Sequence, residues 1–197
     1  LGADGHDFEP IVPELRLART LGVRFVFPHA PVRPVTLNGG MPMRAWFDVR
    51  SLDRGGALDS DGIAASAEAV RALMAAEQAR GVPFARMVLA GFSQGGAMAL
   101  HVALRHEQPL AGVMGLSTFM PTAGTLAQER SAANAQLPVF LAHGTDDPML
   151  ALAMAHATRA ALQENGYAVD YREYAMAHAV CAREVRDIAA WLGRVLD

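Results

Sequence analysis

The chain is poor in what several classes of protein require. It has one cysteine in 197 residues, which excludes an internal disulfide framework and suits a reducing compartment such as the cytoplasm. Seventeen Lys and Arg stand against twenty Asp and Glu, a formal net charge of −3. No basic excess is left to neutralise phosphates, which argues against nucleic acid as a partner. No apolar run approaches the roughly 18 residues of a membrane-spanning helix. There is no HExxH and no paired Cys/His arrangement, so no metal site is expected. The glycine-rich stretches lack the Lys-Ser/Thr of a phosphate loop, so nucleotide use is not indicated. The first residues carry neither the charged nor the apolar region of a signal peptide, and there is no initiator Met. What the chain does have is a hydrophobic fraction of 52 % and a mean hydropathy of +0.16. That is the composition of an ordered chain long enough to bury a core, and one domain over 1–197 is expected.

Strand-like and helix-like stretches alternate. Residues 23–27, 87–90, 111–116 and 138–142 are short apolar runs of the kind found in a parallel sheet covered on both faces. Residues 168–174 alternate, as an edge strand would. Helical periodicity fills 63–80, where Ile63, Ala67, Val70, Leu73 and Met74 share a face behind Asp59 and Asp61, and also 94–106, 149–165 and 180–196. Gly166 suits a helix C-terminus. This rhythm predicts a doubly wound, mostly parallel α/β sheet. Residues 30–62 are rich in Gly, Pro and Met without a sustained period, and loops of that length are usually functional.

The sharpest motif is Gly91-Phe92-Ser93-Gln94-Gly95. Composition alone would produce about 0.05 such matches in a chain of this length. It follows a buried-type strand and opens a helix, the setting of a nucleophile elbow. There a serine sits on a sharp turn, glycines let the backbones approach, and the helix N-terminus faces a developing oxyanion. The plainer alternative is a tight turn with a serine helix cap. A serine nucleophile needs a base, and the base needs an orienting acid, in the chain order Ser, Asp or Glu, His. His143-Gly-Thr-Asp146-Asp147-Pro148 follows the strand at 138–142, and Ala175-Met-Ala-His178 follows the strand at 168–174. Asp147 is preferred because Pro148 restricts the loop beside it; Asp146 stays open, its alternative role being a helix cap. His143, at a strand end, is expected to support the acid loop by hydrogen bonding. His6 and His29 precede the serine, and His101, His106 and His156 lie within expected helices. Cys181 is expected to be a buried free thiol.

Taken together, the blocks Leu1-Gly-Ala-Asp-Gly-His-Asp-Phe8, Pro28-His-Ala-Pro31, Asn38-Gly-Gly-Met-Pro-Met-Arg-Ala-Trp-Phe-Asp48, Gly91-Phe-Ser-Gln-Gly-Gly-Ala97, Gly115-Leu-Ser-Thr-Phe-Met-Pro121, His143-Gly-Thr-Asp-Asp-Pro148 and Met176-Ala-His178 resemble the bacterial carboxylesterase and acyl-protein thioesterase family. This is the phospholipase/carboxylesterase group of α/β-hydrolases. The resemblance runs along essentially the whole chain. It implies Ser93 as nucleophile, His178 as general base and Asp147 as its partner, with the backbone N–H groups of Gln94 and Leu1 as oxyanion hole. Met41, Met43, Trp46, Phe119 and Met120 would line an acyl groove; ordinary packing is the alternative for each. No cofactor is implied. The implied substrates are small carboxylic esters, with acylated proteins or lysophospholipids as alternatives, and a homodimer is compatible with the family. Two departures stand out. Ala179 replaces a serine common after the histidine, and Met149-Leu-Ala-Leu replaces a β-branched residue and proline, so that loop is expected to be laid out differently.

Two further expectations follow. In the sheet that the family implies, the strand leading into Leu1 would lie between those at 23–27 and 87–90, so the sequence is expected to lack that N-terminal strand and the residues that precede it. A non-catalytic α/β-hydrolase used as a binding module is the competing class; such proteins typically lose a triad member, and all three are present here.

Overall fold

The computed structural model describes residues 1–50 and 57–197; the remainder of the expected functional loop, 51–56, lies outside the described residues. In chain order the elements are α1 (Ile11–Leu15), β1 (Val32–Pro34), β2 (Pro42–Arg44), α2 (Ser60–Ala79), β3 (Val88–Phe92), α3 (Gln94–Arg105), β4 (Gly112–Leu116), α4 (Leu126–Glu129), β5 (Val139–Gly144), α5 (Leu152–Glu164), β6 (Val169–Tyr174) and α6 (Ala182–Leu196). The described residues form two compact units, 1–66 with 182–197, and 67–181, the first boundary falling inside α2.

The second unit carries a four-stranded parallel sheet in the order β3-β4-β5-β6. Parallel neighbours cannot be joined by hairpins, so each pair is linked by a crossover: α3, the α4 segment and α5 in turn. β4 and β5 are buried at every position, as suits strands that are apolar throughout except for His143 near the end of β5. Phe140, Met114, Leu100 and Leu104 are among its largest fully buried side chains. β6 is an outer strand, as its alternation suggests. Because all four strands run one way, the segments after β3, β4, β5 and β6 emerge at the same carboxyl edge, where Ser93, Thr118, Asp147 and His178 lie. The mostly parallel α/β sheet expected from the sequence is present.

In the first unit α6 packs on α1, and Ile188, Trp191, Leu192 and Leu196 form a buried apolar stripe along α6. β1 and β2 form a short antiparallel hairpin, with Arg33 opposite Met43. Asp59 accepts the Gly62 N–H at 3.0 Å and the Asp48 N–H at 2.7 Å, so it caps the start of α2 while anchoring the chain before it.

Several expected boundaries move. Residues 23–27 make no ladder among the described residues, although the Phe25 and Phe27 rings stack with centroids 6.2 Å apart, the spacing of an extended chain. β propensity is local, but a strand exists only through a partner. The 30–62 segment, expected to be irregular, contains the β1–β2 hairpin. α2 begins at Ser60, before the expected 63, because Asp59 is its cap. α5 begins at Leu152 and α6 at Ala182, later than the expected 149 and 180. Cys181 is half-buried rather than buried and lies just before α6. Among the described residues no helix is long and apolar enough to cross a membrane.

Candidate active site

Ser93 stands between β3 and α3 with φ 53° and ψ −123°. A non-glycine residue at positive φ stores strain that surrounding contacts must hold. Those contacts are explicit. The Ser93 N–H donates to the Leu116 carbonyl at 2.9 Å. Its carbonyl accepts the Gly96 and Ala97 N–H groups at 3.0 and 3.2 Å and the Thr118 hydroxyl at 2.6 Å. The serine occupies the N-cap position of α3, but its side chain makes no capping bond. The plainer reading of Ser93 as a helix cap therefore does not describe it, and the hydroxyl is not committed to the helix.

The glycines explain how the turn is this tight. A Cβ on Gly91 would overlap the Gly95 carbonyl and the Gly96 nitrogen, far inside 3.0 Å. A Cβ on Gly96 would lie 2.7 Å from Thr118 Cβ and 2.8 Å from the Gly91 carbonyl oxygen. Strand and helix backbones thus meet at a separation that no side chain permits. Gln94, buried, is the first residue of α3, where the orphan N–H groups of a helix lie.

The acid comes from the loop after β5. One oxygen of Asp147, Oδ1, accepts the N–H groups of Met149 and Leu150 at 2.8 and 2.9 Å. The other, Oδ2, accepts from His178 Nδ1 at 2.7 Å. The Asp147 side chain is fully covered. Burial pushes its pKa up, but the Leu150 N–H, the His178 ring and the Met149 N–H outweigh it and hold the carboxyl below its ordinary range. Asp146 is different: it is exposed, and among the described residues its carboxylate accepts only a 3.3 Å bond from the Thr145 hydroxyl. The two amide bonds to Asp147 also explain why α5 starts late, since 149 and 150 are held in the acid's turn.

The loop after β6 brings the imidazole. The N–H groups of Thr145 and Asp146 donate to the carbonyls of Tyr174 and Met176 at 2.8 and 3.1 Å, which joins the acid loop to the histidine loop. A Cβ on Gly144 would collide with the Met176 and Ala177 carbonyls. The His178 ring also packs against Phe92, the residue before Ser93, with centroids 4.6 Å apart and planes at 49°. The imidazole is thus held at the elbow, and its side chain keeps 19 % exposure.

The other histidines have their own partners. His101 bonds Thr122, and burial together with Arg105 and Arg71 lowers its pKa to about 4. His106 meets Phe84 edge-on, and His156 pairs with Glu173 at 2.7 Å. His6 pairs with Glu9, and His29 accepts the Gly5 N–H at 2.9 Å. His143 is fully buried near the end of β5, bonded to the Leu150 carbonyl of the acid loop at 2.9 Å, the supporting position expected of it.

Of the residues expected to line a groove, Phe119 is half-buried and Met120 is buried, its N–H donating to Thr158. In the first unit Met41 is exposed, Met43 and Trp46 are half-buried, and Leu1 is 45 % exposed. Sequence reasoning missed Gly96, Thr118 and Phe92. The doubled glycine of Gly95-Gly96 was a usable signal for the first; nothing local marked the other two.

Comparison with known proteins bears on this arrangement directly. The chain is 39 % identical over 188 residues to an acyl-protein thioesterase 1 of Mycosarcoma maydis, covering 88 % of this chain and 78 % of that protein. Its fold superposes on Arabidopsis thaliana SOBER1 with a TM-score of 0.93 at 30 % identity, covering 100 % of this chain and 95 % of the other. It superposes on Zea mays acyl-protein thioesterase 2 with a TM-score of 0.89 at 30 % identity, covering 100 % and 90 %. The profile of the phospholipase/carboxylesterase family matches residues 1–196, through both units. The chain belongs to the phospholipase/carboxylesterase family of α/β-hydrolases.

Proposed function

We propose that this chain is a serine hydrolase that cleaves carboxylic esters of short to medium acyl chains through an acyl-enzyme. The observation that carries the reading is the Asp147–His178 bond of 2.7 Å, held beside an elbow serine whose side chain caps nothing. With Nδ1 donating to Asp147, Nε2 is the ring nitrogen left to take the Ser93 proton. Ser93 Oγ attacks the acyl carbon, and His178 accepts the proton and returns it to the leaving alkoxide. The acyl group passes to Ser93, and water, activated by the same imidazole, hydrolyses the new ester. The covered Asp147 carboxylate orients the ring and stabilises the imidazolium. The backbone N–H groups of Gln94 and Leu1 serve as the oxyanion hole. Met41, Met43, Trp46, Phe119 and Met120 line the acyl groove, whose methionines adapt to the chain. Residues 1–197 work as one domain, in keeping with the family match through both units. No cofactor takes part, and a cytoplasmic setting suits the single free cysteine.

A second reading has specific support: the relatives from Mycosarcoma maydis and Zea mays carry the name acyl-protein thioesterase, which favours thioesters on acylated proteins as substrates. A panel of p-nitrophenyl esters of rising chain length, run beside a palmitoylated peptide thioester, tests both. Esters of roughly four to ten carbons should exceed acetate, since each buried methylene is worth about 0.8 kcal/mol. Acetate as best substrate would overturn the groove. A thioester kcat/KM far above every ester would replace the first reading by the second.

A further inference from the structure

Asp147 Oδ2 has a second imidazole beside it. His143 Nε2 lies 3.5 Å from that oxygen and 2.9 Å from the Leu150 carbonyl. A carbonyl only accepts, so Nε2 carries the proton in this bond. His143 Nδ1 is buried without a partner among the described residues. The ring is therefore not part of a wider polar network; its one polar function is directed at the acid loop. It spans that loop from inside, from the end of β5 to Leu150, while the amides of Met149 and Leu150 hold Asp147 Oδ1. Among the described residues, the groups that face the Asp147 carboxylate are thus His178, His143 and two backbone N–H groups. The neighbouring Asp146 carboxylate is turned to Thr145 at the surface.

We propose that His143 is a positioning residue for the general base: its Nε2–H, anchored on the Leu150 carbonyl, also faces Asp147 Oδ2, fixing the oxygen that meets His178 and drawing off part of its charge. The inference rests on the reading of Asp147 and His178 as the acid–base pair. A single donor placed between two acceptors stiffens both, and in a covered site even a long N–H···O approach acts on a carboxylate with little screening. Without that donor, Oδ2 would present fuller negative charge to His178 and stabilise its protonated form.

The test compares His143→Gln, His143→Asn and His143→Leu in the full chain, with p-nitrophenyl butyrate as substrate. Gln can place an amide N–H where Nε2 stands, whereas Asn places its donor near Nδ1 and Leu has none. His143→Leu should lose about tenfold or more in kcat with KM within about twofold. The acid limb of its kcat/KM profile should move up by about half a pH unit. His143→Gln should restore most of kcat and return the acid limb towards that of the unmodified chain, and His143→Asn should behave as His143→Leu. If His143→Leu does not fold, the Gln and Asn variants decide alone, the proposal requiring Gln to exceed Asn. Equal loss in Gln and Asn, or a kcat loss with an unmoved acid limb, would overturn it as mere loop support. Asp147→Ala separates the two readings. If that variant kept full activity, the acid–base pair itself would be wrong; if it is inactive while His143→Gln matches His143→Leu, only His143 is misassigned.

Discussion

Replacing Asp147 by Asn puts the catalytic geometry to a severe test, because the surroundings dictate how the amide must sit. Oδ1 accepts two backbone N–H groups, at 2.8 and 2.9 Å, so the amide oxygen must take that place. The NH2 group then lies where Oδ2 was, facing His178 Nδ1 at about the present 2.7 Å and, less favourably, the His143 Nε2–H at 3.5 Å. That nitrogen must now accept, which moves the imidazole proton to Nε2, the nitrogen required to take the serine proton. The substitution only exchanges a charged oxygen for a neutral NH2 group of similar size, yet the base is in the wrong tautomer. Errors of this kind in serine hydrolases cost about 10⁴-fold in kcat, roughly 5.4 kcal/mol of barrier. Folding should lose much less, about 1–2 kcal/mol, because both amide bonds survive with a neutral acceptor. Initial rates on p-nitrophenyl butyrate and thermal unfolding, measured on the same sample, check both numbers. Asp147→Asn within tenfold of the unmodified chain, or Asp146→Asn suffering the larger loss, would refute the argument.

Other perturbations probe different parts of the account. Gly91→Ala forces a Cβ into the Gly95–Gly96 backbone and should destabilise by about 3 kcal/mol or more, lowering the melting temperature by roughly 6–12 °C; an unchanged melting temperature would mean that the elbow is looser than described. The folded-state pKa of Asp147 is depressed, so its contribution to stability is complete above the unfolded value of about 3.9 and is lost as pH falls through the folded value. The stability gap between the unmodified chain and Asp147→Asn should therefore narrow below about pH 4, and a gap constant from pH 7 to pH 3 would contradict it. Hydrolysis should rise with pH as an imidazole gives up its proton, and that limb should vanish with the activity in His178→Gln.

The strand–turn–helix context of Ser93 and the order Ser, Asp, His were legible because each depends on short, contiguous patterns. Asp147, preferred over Asp146 through Pro148, is the one whose carboxylate meets His178, and it is held by two amide bonds that only the folded turn displays. What escaped was non-local. Residues 23–27 have strand composition, but pairing is decided by neighbours elsewhere in the chain. The β1–β2 hairpin sets Pro34 against Pro42, and prolines, which cannot donate to a ladder, mask a strand in sequence. α5 begins after the acid's turn because Asp147 competes for the amides that a helix start would have used. Thr118 and Phe92 touch the serine segment and the histidine from other parts of the sheet edge, a proximity that no spacing rule contains.

The central claim is that Ser93 is the nucleophile, and covalent labelling tests it most directly. After treatment with a fluorophosphonate probe and proteolysis, mass spectrometry should find one stoichiometric adduct, on the peptide containing Ser93. Activity should fall in proportion to labelling, and Ser93→Ala should neither label nor turn over substrate while keeping its fold. An adduct on another residue, or substantial turnover by Ser93→Ala, would contradict the account.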